Sequence, residues 1–253
     1  PIRTLLPGEQ AMPHRIAGNY PSPYGDEPKD AMVGNFARKP AYHFGWDWGP
    51  RYVTAGVWRG VDLQAWDAHR LTDLAVRTDA LDAEKAKLAV VLQVEQDAVA
   101  GPVAVDVEVR DPDGRSVARV QRTVELKPGQ NSVEVPVELA KPRRWWPVGH
   151  GAQDRYTVQA RLDGSADAVL AREQRIGLRT VELRREQDDK GGQGFAFVIN
   201  GVPIFAKGAN VIPFDAFPAR VDAARLRQVL VAARDANMNM LRNWGGGYYE
   251  DDA

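Results

Sequence analysis

Apolar and polar residues alternate through the middle of the chain, from about residue 70 onward. The alternation covers residues 88–94, 103–109, 117–126, 133–139 and 156–162, and turn sequences such as Asp111-Pro112-Asp113-Gly114 separate the runs. Side chains of a strand point to opposite faces in turn, so each run predicts a strand with one buried face. Six or seven short strands over roughly 110 residues are typical of an immunoglobulin-like antiparallel β-sandwich.

The first fifty residues carry no such pattern. Prolines at positions 1, 7, 13, 21, 23 and 28 exclude a long helix or a central strand there and predict an irregular loop. Strand-like alternation then appears over residues 51–66, with Val57, Val61, Leu63 and Ala65 on one face. This strand would need neighbours that the preceding residues hardly supply.

The pattern changes again after residue 187, where a glycine-rich loop spans residues 188–194. Asn200 and Gly201 follow a short apolar run and favour a tight hairpin turn. Residues 203–209 then predict a further short apolar strand.

A helix and another strand follow this region. Asp222 is a candidate N-cap for a helix that runs to about residue 236. The apolar stripe of that helix consists of Leu226, Val229, Leu230 and Ala233. Residues 238–243 predict the next strand. Strand, helix and strand at these lengths form a βαβ unit, which implies parallel strands and the opening of an α/β fold.

The composition gives no support for several kinds of partner and cofactor. Its 253 residues include 33 lysines and arginines against 34 aspartates and glutamates, so charge gives no reason to expect nucleic acid or an anionic membrane as partner. The absence of cysteine excludes disulfides and thiolate chemistry. The four histidines, His14, His43, His69 and His150, lack ligand spacing, so we expect ordinary packing or surface roles and no metal or other cofactor.

Targeting signals are also missing from the sequence. No apolar run approaches the ~20 residues that a membrane helix needs. The chain begins without methionine and without the basic-then-apolar order of a signal peptide, so we expect the native N-terminus to lie upstream. We expect a soluble protein, and the compartment stays open between the cytoplasm and a periplasmic or secreted location.

Residues 45–51, with the sequence GWDWGPR, are the strongest candidate for chemistry. Glycine and proline beside two indoles break regular structure and predict a shaped loop. A carboxylate between two flat apolar faces suits a polyhydroxylated ring, with Trp46 and Trp48 covering C–H surface and Asp47 accepting from hydroxyls. The alternative is a tryptophan-rich corner of a sandwich core in which Asp47 bonds backbone N–H groups.

Three dispersed motifs resemble glycoside hydrolase family 2, and its β-mannosidases in particular. Residues 38–61 are similar to the segment that closes the N-terminal sandwich of those enzymes. Residues 144–149, RWWPVG, resemble a corner of their next domain. Residues 198–210 and 234–247 resemble the entry into the catalytic barrel. The WDWG loop and the WGGG run favour mannosidases over other members of the family.

The resemblance implies a multidomain, mainly β protein with three segments. Residues 1–67 would be the C-terminal part of a jelly-roll-like, sugar-binding-like β-sandwich. Residues 68–183 would be the immunoglobulin-like sandwich, with a structural role. Residues 184–253 would begin a (β/α)₈ TIM barrel and stop after its first βαβ unit.

The resemblance also assigns site residues by position. Trp46, Asp47, Trp48, Trp244 and Asn210 would bind the substrate. In a barrel the site lies at the C-terminal ends of the strands, and we expect Asn210 just after the first strand and Trp244 at the end of the second. Trp46, Asp47 and Trp48 would reach this site on a loop of the preceding sandwich.

A catalytic pair is not expected in this chain. Arg242 would hold the nucleophilic carboxylate, because a guanidinium pairs a carboxylate bidentately and stays charged; the alternative is a purely structural salt bridge. Retaining glycosidases need two carboxylates, which the family takes from later barrel strands, the acid/base directly after an asparagine. The chain has no Asn-Glu dipeptide, and Glu250, Asp251 and Asp252 match the start of the next helix.

Three hypotheses of function follow. The first is a retaining exo-β-mannosidase that releases terminal non-reducing β-D-mannose, in which case the 253 residues alone would be inactive and the remainder of the barrel would be a partner. The second is a non-enzymatic carbohydrate-binding β-sandwich protein. The third is a structural scaffold. The natural substrate, the aglycone preference and the oligomeric state stay open.

Overall fold

The computed structural model describes residues 39–57 and 59–249 of the chain. The predicted proline-rich loop therefore lies outside the described residues. The fold divides into two compact units, one formed by Pro1–Val61 with Lys207–Ala253 and the other by Asp62–Ala206. The described residues are mainly β, with several antiparallel sheets and one α-helix. The three-domain division inferred from the resemblance stays a prediction.

Seven strands form a β-sandwich in the second unit. They are β1 (His69–Leu81), β2 (Lys85–Gln96), β3 (Gly101–Arg110), β4 (Ser116–Leu126), β5 (Gly129–Ala140), β6 (Tyr156–Leu162) and β7 (Ala171–Ile176). One sheet has the order β1-β2-β5 and the other the order β4-β3-β6-β7, with antiparallel neighbours throughout. Two such sheets confirm the antiparallel β-sandwich that the alternating pattern predicted.

The core of this sandwich consists of the alternating apolar residues. Leu88, Val90, Leu92 and Val94 of β2 are at most 2 % exposed. The remaining strands contribute a matching buried set: Val105, Val107 and Val109 of β3, Val135 and Val137 of β5, and Val158, Ala160 and Leu162 of β6. Full burial of a side chain of this size contributes about 1.5–3 kcal/mol. This apolar layer is therefore the main stabilising element of the unit.

A small antiparallel sheet follows the sandwich in the same unit. Its strands β8 (Val181–Arg184), β9 (Ala196–Ile199) and β10 (Val202–Ile204) have the order β10-β9-β8. Asn200 and Gly201 join β9 to β10 with φ angles of 52° and 83°, as a tight hairpin with two left-handed residues requires. The predicted hairpin is confirmed.

The Asn200 side chain also fastens this hairpin to the sandwich. Its Oδ1 accepts from the backbone N–H of Thr180 at 3.0 Å, and its Nδ2 donates to the carbonyl of Trp145 at 3.0 Å. The Trp145 N–H in turn donates to the carbonyl of Leu178 at 2.9 Å. Trp145 is thus part of the connection between the hairpin and the sandwich.

A βαβ unit occupies the end of the described chain. Strand β11 (Gly208–Val211) pairs in parallel with β12 (Met240–Asn243), and helix α1 (Ala223–Asp235) connects them. The carboxylate of Asp222 accepts from the backbone N–H of Arg225 at 2.8 Å, which confirms the predicted N-cap. The helix ends before Asn237, whose φ of 59° breaks the helical backbone.

The strand predicted over residues 203–209 has the wrong bounds, and the predicted position of Asn210 is wrong as well. Residues 203–209 do not form one strand, because the Asn200-Gly201 turn pairs residues 202–204 with β9. The first parallel strand begins only at Gly208, and Asn210 lies inside it instead of after it. The backbone N–H of Lys207 donates to the Asn239 side chain at 2.8 Å, next to the start of the parallel pairing.

The strand predicted over residues 51–66 is also wrong for the described part of that segment. Val57, Val61 and Leu63 are 74, 82 and 100 % exposed, and no strand includes them. A strand needs a neighbour for its backbone hydrogen bonds, and no described strand pairs with this segment.

The outer face of the four-stranded sheet carries a charged pair. The guanidinium of Arg119 on β4 binds the Asp106 carboxylate on β3 through two hydrogen bonds of 2.9 and 2.6 Å. Asp106 is 8 % exposed although it points away from the core. The hydrogen bonds from Arg119 lower the pKa of Asp106, and partial burial opposes this shift.

Replacing Leu92 by Ala should lower the free energy of unfolding by about 2–5 kcal/mol, because it leaves a cavity in a fully buried layer. Chemical denaturation followed by circular dichroism measures this change. The matched control is Leu63→Ala, whose side chain is fully exposed and which should stay within about 0.5 kcal/mol of the parent. Equal losses in the two variants would contradict the burial described here.

Replacing Asp106 by Asn should reduce stability at pH 7 and should matter less in acid. A carboxyl whose pKa is lowered in the folded state stabilises the fold above its ordinary pKa of about 3.9, and the contribution disappears as the pH falls through the lowered value. Denaturation at a series of pH values measures the difference between parent and variant. A difference that stays constant down to pH 2 would contradict this account, as would an undiminished effect of Asp106→Asn in an Arg119→Gln background.

Candidate functional site

The segment with the WDWG sequence forms a short turn on a buried base. Residues Ala41–Phe44 form a 3₁₀ turn in which Tyr42, His43 and Phe44 are buried. Gly45 ends this turn with a φ of 104°, a conformation that residues with a side chain rarely adopt. The WDWG residues thus follow directly after a buried 3₁₀ turn, which fixes the position of their first residue.

Trp46 and Gly49 close the tip of this segment by two backbone hydrogen bonds. Trp46 N–H donates to the Gly49 carbonyl at 2.8 Å, and Gly49 N–H donates to the Trp46 carbonyl at 3.2 Å. Asp47 and Trp48 are the two central residues of this turn, and both are exposed. The alternative of a buried corner with an enclosed Asp47 therefore does not describe this segment.

The ends of the two parallel strands supply the second part of the site. Asn210 and Arg242 lie opposite each other in β11 and β12, and the Arg242 Nη1 donates to the Asn210 Oδ1 at 2.9 Å. Two residues after Arg242, the N–H of Trp244 donates to the Val211 carbonyl at 3.1 Å, which extends the pairing by one step. Arg242 and Asn210 are both exposed, so their polar groups are available to a ligand.

A tight turn after Trp244 keeps backbone close to its ring. The N–H of Gly247 donates to the Trp244 carbonyl at 3.1 Å. A Cβ at Gly246 would overlap the Trp244 indole, so this position requires glycine for close approach.

Aromatic contacts join the WDWG turn to the end of β12 within the same unit. The rings of Trp46 and Trp244 meet edge to face, with centroids 4.9 Å apart and an interplanar angle of 77°. Trp48 lies 6.3 Å from Trp244 and 5.2 Å from Tyr42. Tyr248 completes the group, 6.3 Å from Tyr42. The structure thus brings together the three predicted tryptophans, which are distant in sequence.

The two tryptophans of the turn have different surroundings. Trp46 is half-buried against Trp244, whereas Trp48 is 38 % exposed beside Asp47. An indole that packs edge-on against another ring orients its neighbour, and an exposed indole can receive a flat ligand. Trp46 is therefore suited to support, and Trp48 to ligand contact.

The sequence analysis did not identify several aromatic residues that pack around the WDWG turn. Tyr52 stacks on Phe217 with centroids 5.3 Å apart, and its N–H donates to the His43 carbonyl at 3.0 Å. Tyr42 and Tyr248, which pack in the same aromatic group, were also not predicted as site residues. Isolated aromatics such as these carry no motif, and only their meeting in space identifies them.

His43 is buried beside Tyr42, in keeping with the packing role expected for it. Burial lowers the pKa of its imidazole, the positive charge of Lys39 lowers it further, and the backbone of Ala216 opposes both effects. The ring is therefore neutral at pH 7.

No group of three or more histidine, aspartate or glutamate side chains lies close enough to hold a metal ion within residues 39–57 and 59–249. In the same part of the chain, no helix has the length and apolar character to cross a membrane.

Family models match two parts of the chain. The model for the glycosyl hydrolase 2 galactose-binding domain-like family matches residues 6–59, which include the WDWG turn. The model for glycosyl hydrolases family 2 matches residues 69–179, which include the seven-stranded sandwich.

Individual relatives extend over most of the chain. A β-mannosidase from Bos taurus is 37 % identical over 225 residues, which cover 86 % of this chain and 25 % of the relative. A β-mannosidase B from Aspergillus terreus is 37 % identical over 217 residues, with 85 % and 25 % covered. The chain thus spans about a quarter of the length of these curated relatives.

A solved structure is similar over almost the whole chain. The β-D-mannosidase of Dictyoglomus thermophilum matches with a TM-score of 0.81 and 37 % identity, covering 96 % of this chain and 29 % of that one. A putative β-galactosidase from Bacteroides fragilis, with a TM-score of 0.60 and 16 % identity, shares the fold alone. Together with the two family models, these homologues establish that the chain belongs to glycoside hydrolase family 2.

Proposed function

We propose that this chain is part of a retaining exo-β-mannosidase that hydrolyses terminal non-reducing β-D-mannose residues from β-mannosides. The contact between Trp46 and Trp244 carries the proposal. It joins the exposed Asp47–Trp48 tip to the C-terminal end of β12, and α/β enzymes bind their ligands at that end of parallel strands. The similarity to β-mannosidases from three sources supports the choice of sugar.

The proposed site binds one hexose by apolar contact and by hydrogen bonds. Trp48 covers C–H surface of the sugar, while the Asp47 carboxylate accepts from its hydroxyls. Mannose differs from glucose in its axial 2-hydroxyl, so selection needs polar groups set against that hydroxyl. In this proposal Trp244 lines the same subsite, and Trp46 keeps Trp244 and the turn in position.

Arg242 and Asn210 have a related role in this proposal. Arg242 would pair with the nucleophilic carboxylate, for which a guanidinium has the right fixed geometry. The hydrogen bond of 2.9 Å from Arg242 to Asn210 leaves other guanidinium N–H groups for that carboxylate. Asn210 would both orient Arg242 and contact the sugar.

The two catalytic carboxylates belong, in this proposal, to sequence outside the 253 residues. A retaining mechanism needs a nucleophile and an acid/base about 5–5.5 Å apart. The chain has no Asn-Glu dipeptide for the acid/base, and Glu250, Asp251 and Asp252 lie outside the described residues. The β11–α1–β12 unit would then be the first βαβ unit of a (β/α)₈ barrel whose remainder is its partner.

The same proposal covers the rest of the chain. Residues 1–67 would close an N-terminal jelly-roll-like sandwich, residues 68–183 would form the immunoglobulin-like domain, and residues 184–253 would begin the barrel. Mannan oligosaccharides and glycoprotein-derived disaccharides both present the terminal mannose that such a site would accept.

Turnover of a chromogenic β-mannoside tests the function. A protein extended through the whole barrel should release the chromophore, and the 253-residue chain should not, because it lacks the carboxylate pair. Release by the 253-residue chain would contradict the proposed location of the carboxylates. An inert extended protein that folds would contradict the mannosidase assignment.

A second candidate is a carbohydrate-binding protein without catalysis. The match of residues 6–59 to a galactose-binding domain-like family favours it. Binding of mannose by this chain, together with a folded but inactive extended protein, would support this candidate over the first.

Replacing Asp47 by Ala in the extended enzyme should lower kcat/KM about tenfold to a hundredfold. The expected loss is that of a hydrogen bond to a charged group. Steady-state kinetics on the chromogenic substrate measures it. The matched control is Asp97→Ala, an exposed aspartate in the loop between β2 and β3, which should leave kcat/KM unchanged. An unchanged kcat/KM in the Asp47 variant would contradict its role.

A further inference from the structure

The sandwich carries a polar hollow on the outer face of its four-stranded sheet. Gln121 on β4, Asp106 on β3 and Arg161 on β6 lie directly opposite one another across three neighbouring strands. Their sequence neighbours Val105, Val107, Ala160 and Leu162 are at most 1 % exposed, so the row itself faces away from the core. The hollow has a volume of about 450 Å³.

Arg161 is a cation of this hollow that lies opposite Asp106 on the neighbouring strand. Its Nη2 donates to the neutral amide oxygen of Gln159 at 2.7 Å, while the hydrogen bonds from guanidinium groups to the Asp106 carboxylate come from Arg119. Its Nε is buried and makes no hydrogen bond within the described part of the chain. A guanidinium in this state favours an added oxyanion, because a buried donor without an acceptor is unfavourable.

Two other charges of the hollow are paired with each other. Arg119 binds Asp106 through its Nε and Nη2, as a bidentate pair. Arg122 also borders the hollow, but its guanidinium donates to the backbone carbonyl of Glu134 on β5. The lining of the hollow thus contains one carboxylate, that of Asp106, and three guanidinium groups, those of Arg119, Arg122 and Arg161, so cations are in excess.

The remaining lining suits hydroxyl groups. Gln121 offers an amide donor and acceptor, Thr123 a hydroxyl, and Asp106 a carboxylate. None of the described residues that line the hollow is aromatic, which distinguishes it from the Trp48 turn and gives no basis for stacking as its main attraction. Its volume falls within the range of about 300–1,000 Å³ that small-molecule sites occupy.

We infer that this hollow binds a saccharide unit that carries a carboxylate, with the carboxylate on Arg161 and the hydroxyls on Gln121, Thr123 and Asp106. The site is separate from the WDWG turn and does not rest on the proposed mannosidase function. It gives the sandwich a binding role beside its structural one.

Nuclear magnetic resonance of the isotope-labelled 253-residue chain tests this site. D-glucuronate should shift the amide resonances of Asp106, Gln121 and Arg161 in a saturable way. D-glucose should need at least tenfold higher concentration, since it lacks the anion, and inorganic sulfate should also bind at least tenfold more weakly, since it lacks the hydroxyls. Raising the salt concentration should weaken glucuronate binding.

Substitutions distinguish a specific contact of Arg161 with the ligand from a general effect of the positive charge on this face of the sheet. Arg161→Gln should weaken glucuronate binding at least tenfold. The matched control is Arg175→Gln. It removes an exposed arginine of β7 that lies on the same face of the sheet as Arg161, and it should change the affinity less than twofold. If Arg161→Gln fails to fold, Gln121→Ala decides, because this exposed residue can be truncated without opening the core; about threefold weaker binding is expected.

Three outcomes would overturn the inference. The first is equal affinity for glucuronate and for either glucose or sulfate. The second is an equal loss of affinity in the Arg161 and Arg175 variants. The third is glucuronate-induced shifts at Trp46 and Trp244 in place of the hollow, which would assign binding to the candidate functional site.

Discussion

A β-strand persists only where a neighbouring strand satisfies its backbone hydrogen bonds, and this constraint organises the whole chain. The seven sandwich strands all find antiparallel neighbours, and their alternating valines and leucines close one core. Residues 51–66 have a similar alternation, yet no described strand pairs with them, and Leu63 is fully exposed. The same amphipathic pattern thus gives a strand in one place and a largely exposed segment without strand pairing in the other.

The constraint also sets where the parallel pair begins. The Asn200-Gly201 turn commits residues 202–204 to β9, so the chain can start a new pairing only after it leaves that hairpin. Gly208 makes the new start possible, because a Cβ there would overlap the carbonyl of Met240. As a result Asn210 and Arg242 fall opposite each other, and Trp244 emerges just beyond the strand end.

Aromatic packing then connects two distant parts of the sequence. The WDWG turn alone is a short two-residue loop, and the strand end alone is an exposed edge. The edge-to-face contact of Trp46 with Trp244, supported by Tyr52 on Phe217, makes one surface of them. Within that surface the burial differs enough to separate a supporting indole from one that is open to a ligand.

Local sequence rules determined the elements of this protein. Alternation predicted five of the seven sandwich strands, Asn-Gly predicted the hairpin, and Asp222 predicted the start of the helix, because each depends on residues close in the chain. The resemblance of short motifs correctly identified the family.

Tertiary structure alone decided the rest. The true bounds of β11, the failure of residues 51–66 to form a strand, the separate roles of Trp46 and Trp48, and the Arg161 hollow all depend on which residues meet across long distances in sequence. Those meetings are set by the pairing of strands and the packing of rings, whose partners a local pattern does not specify.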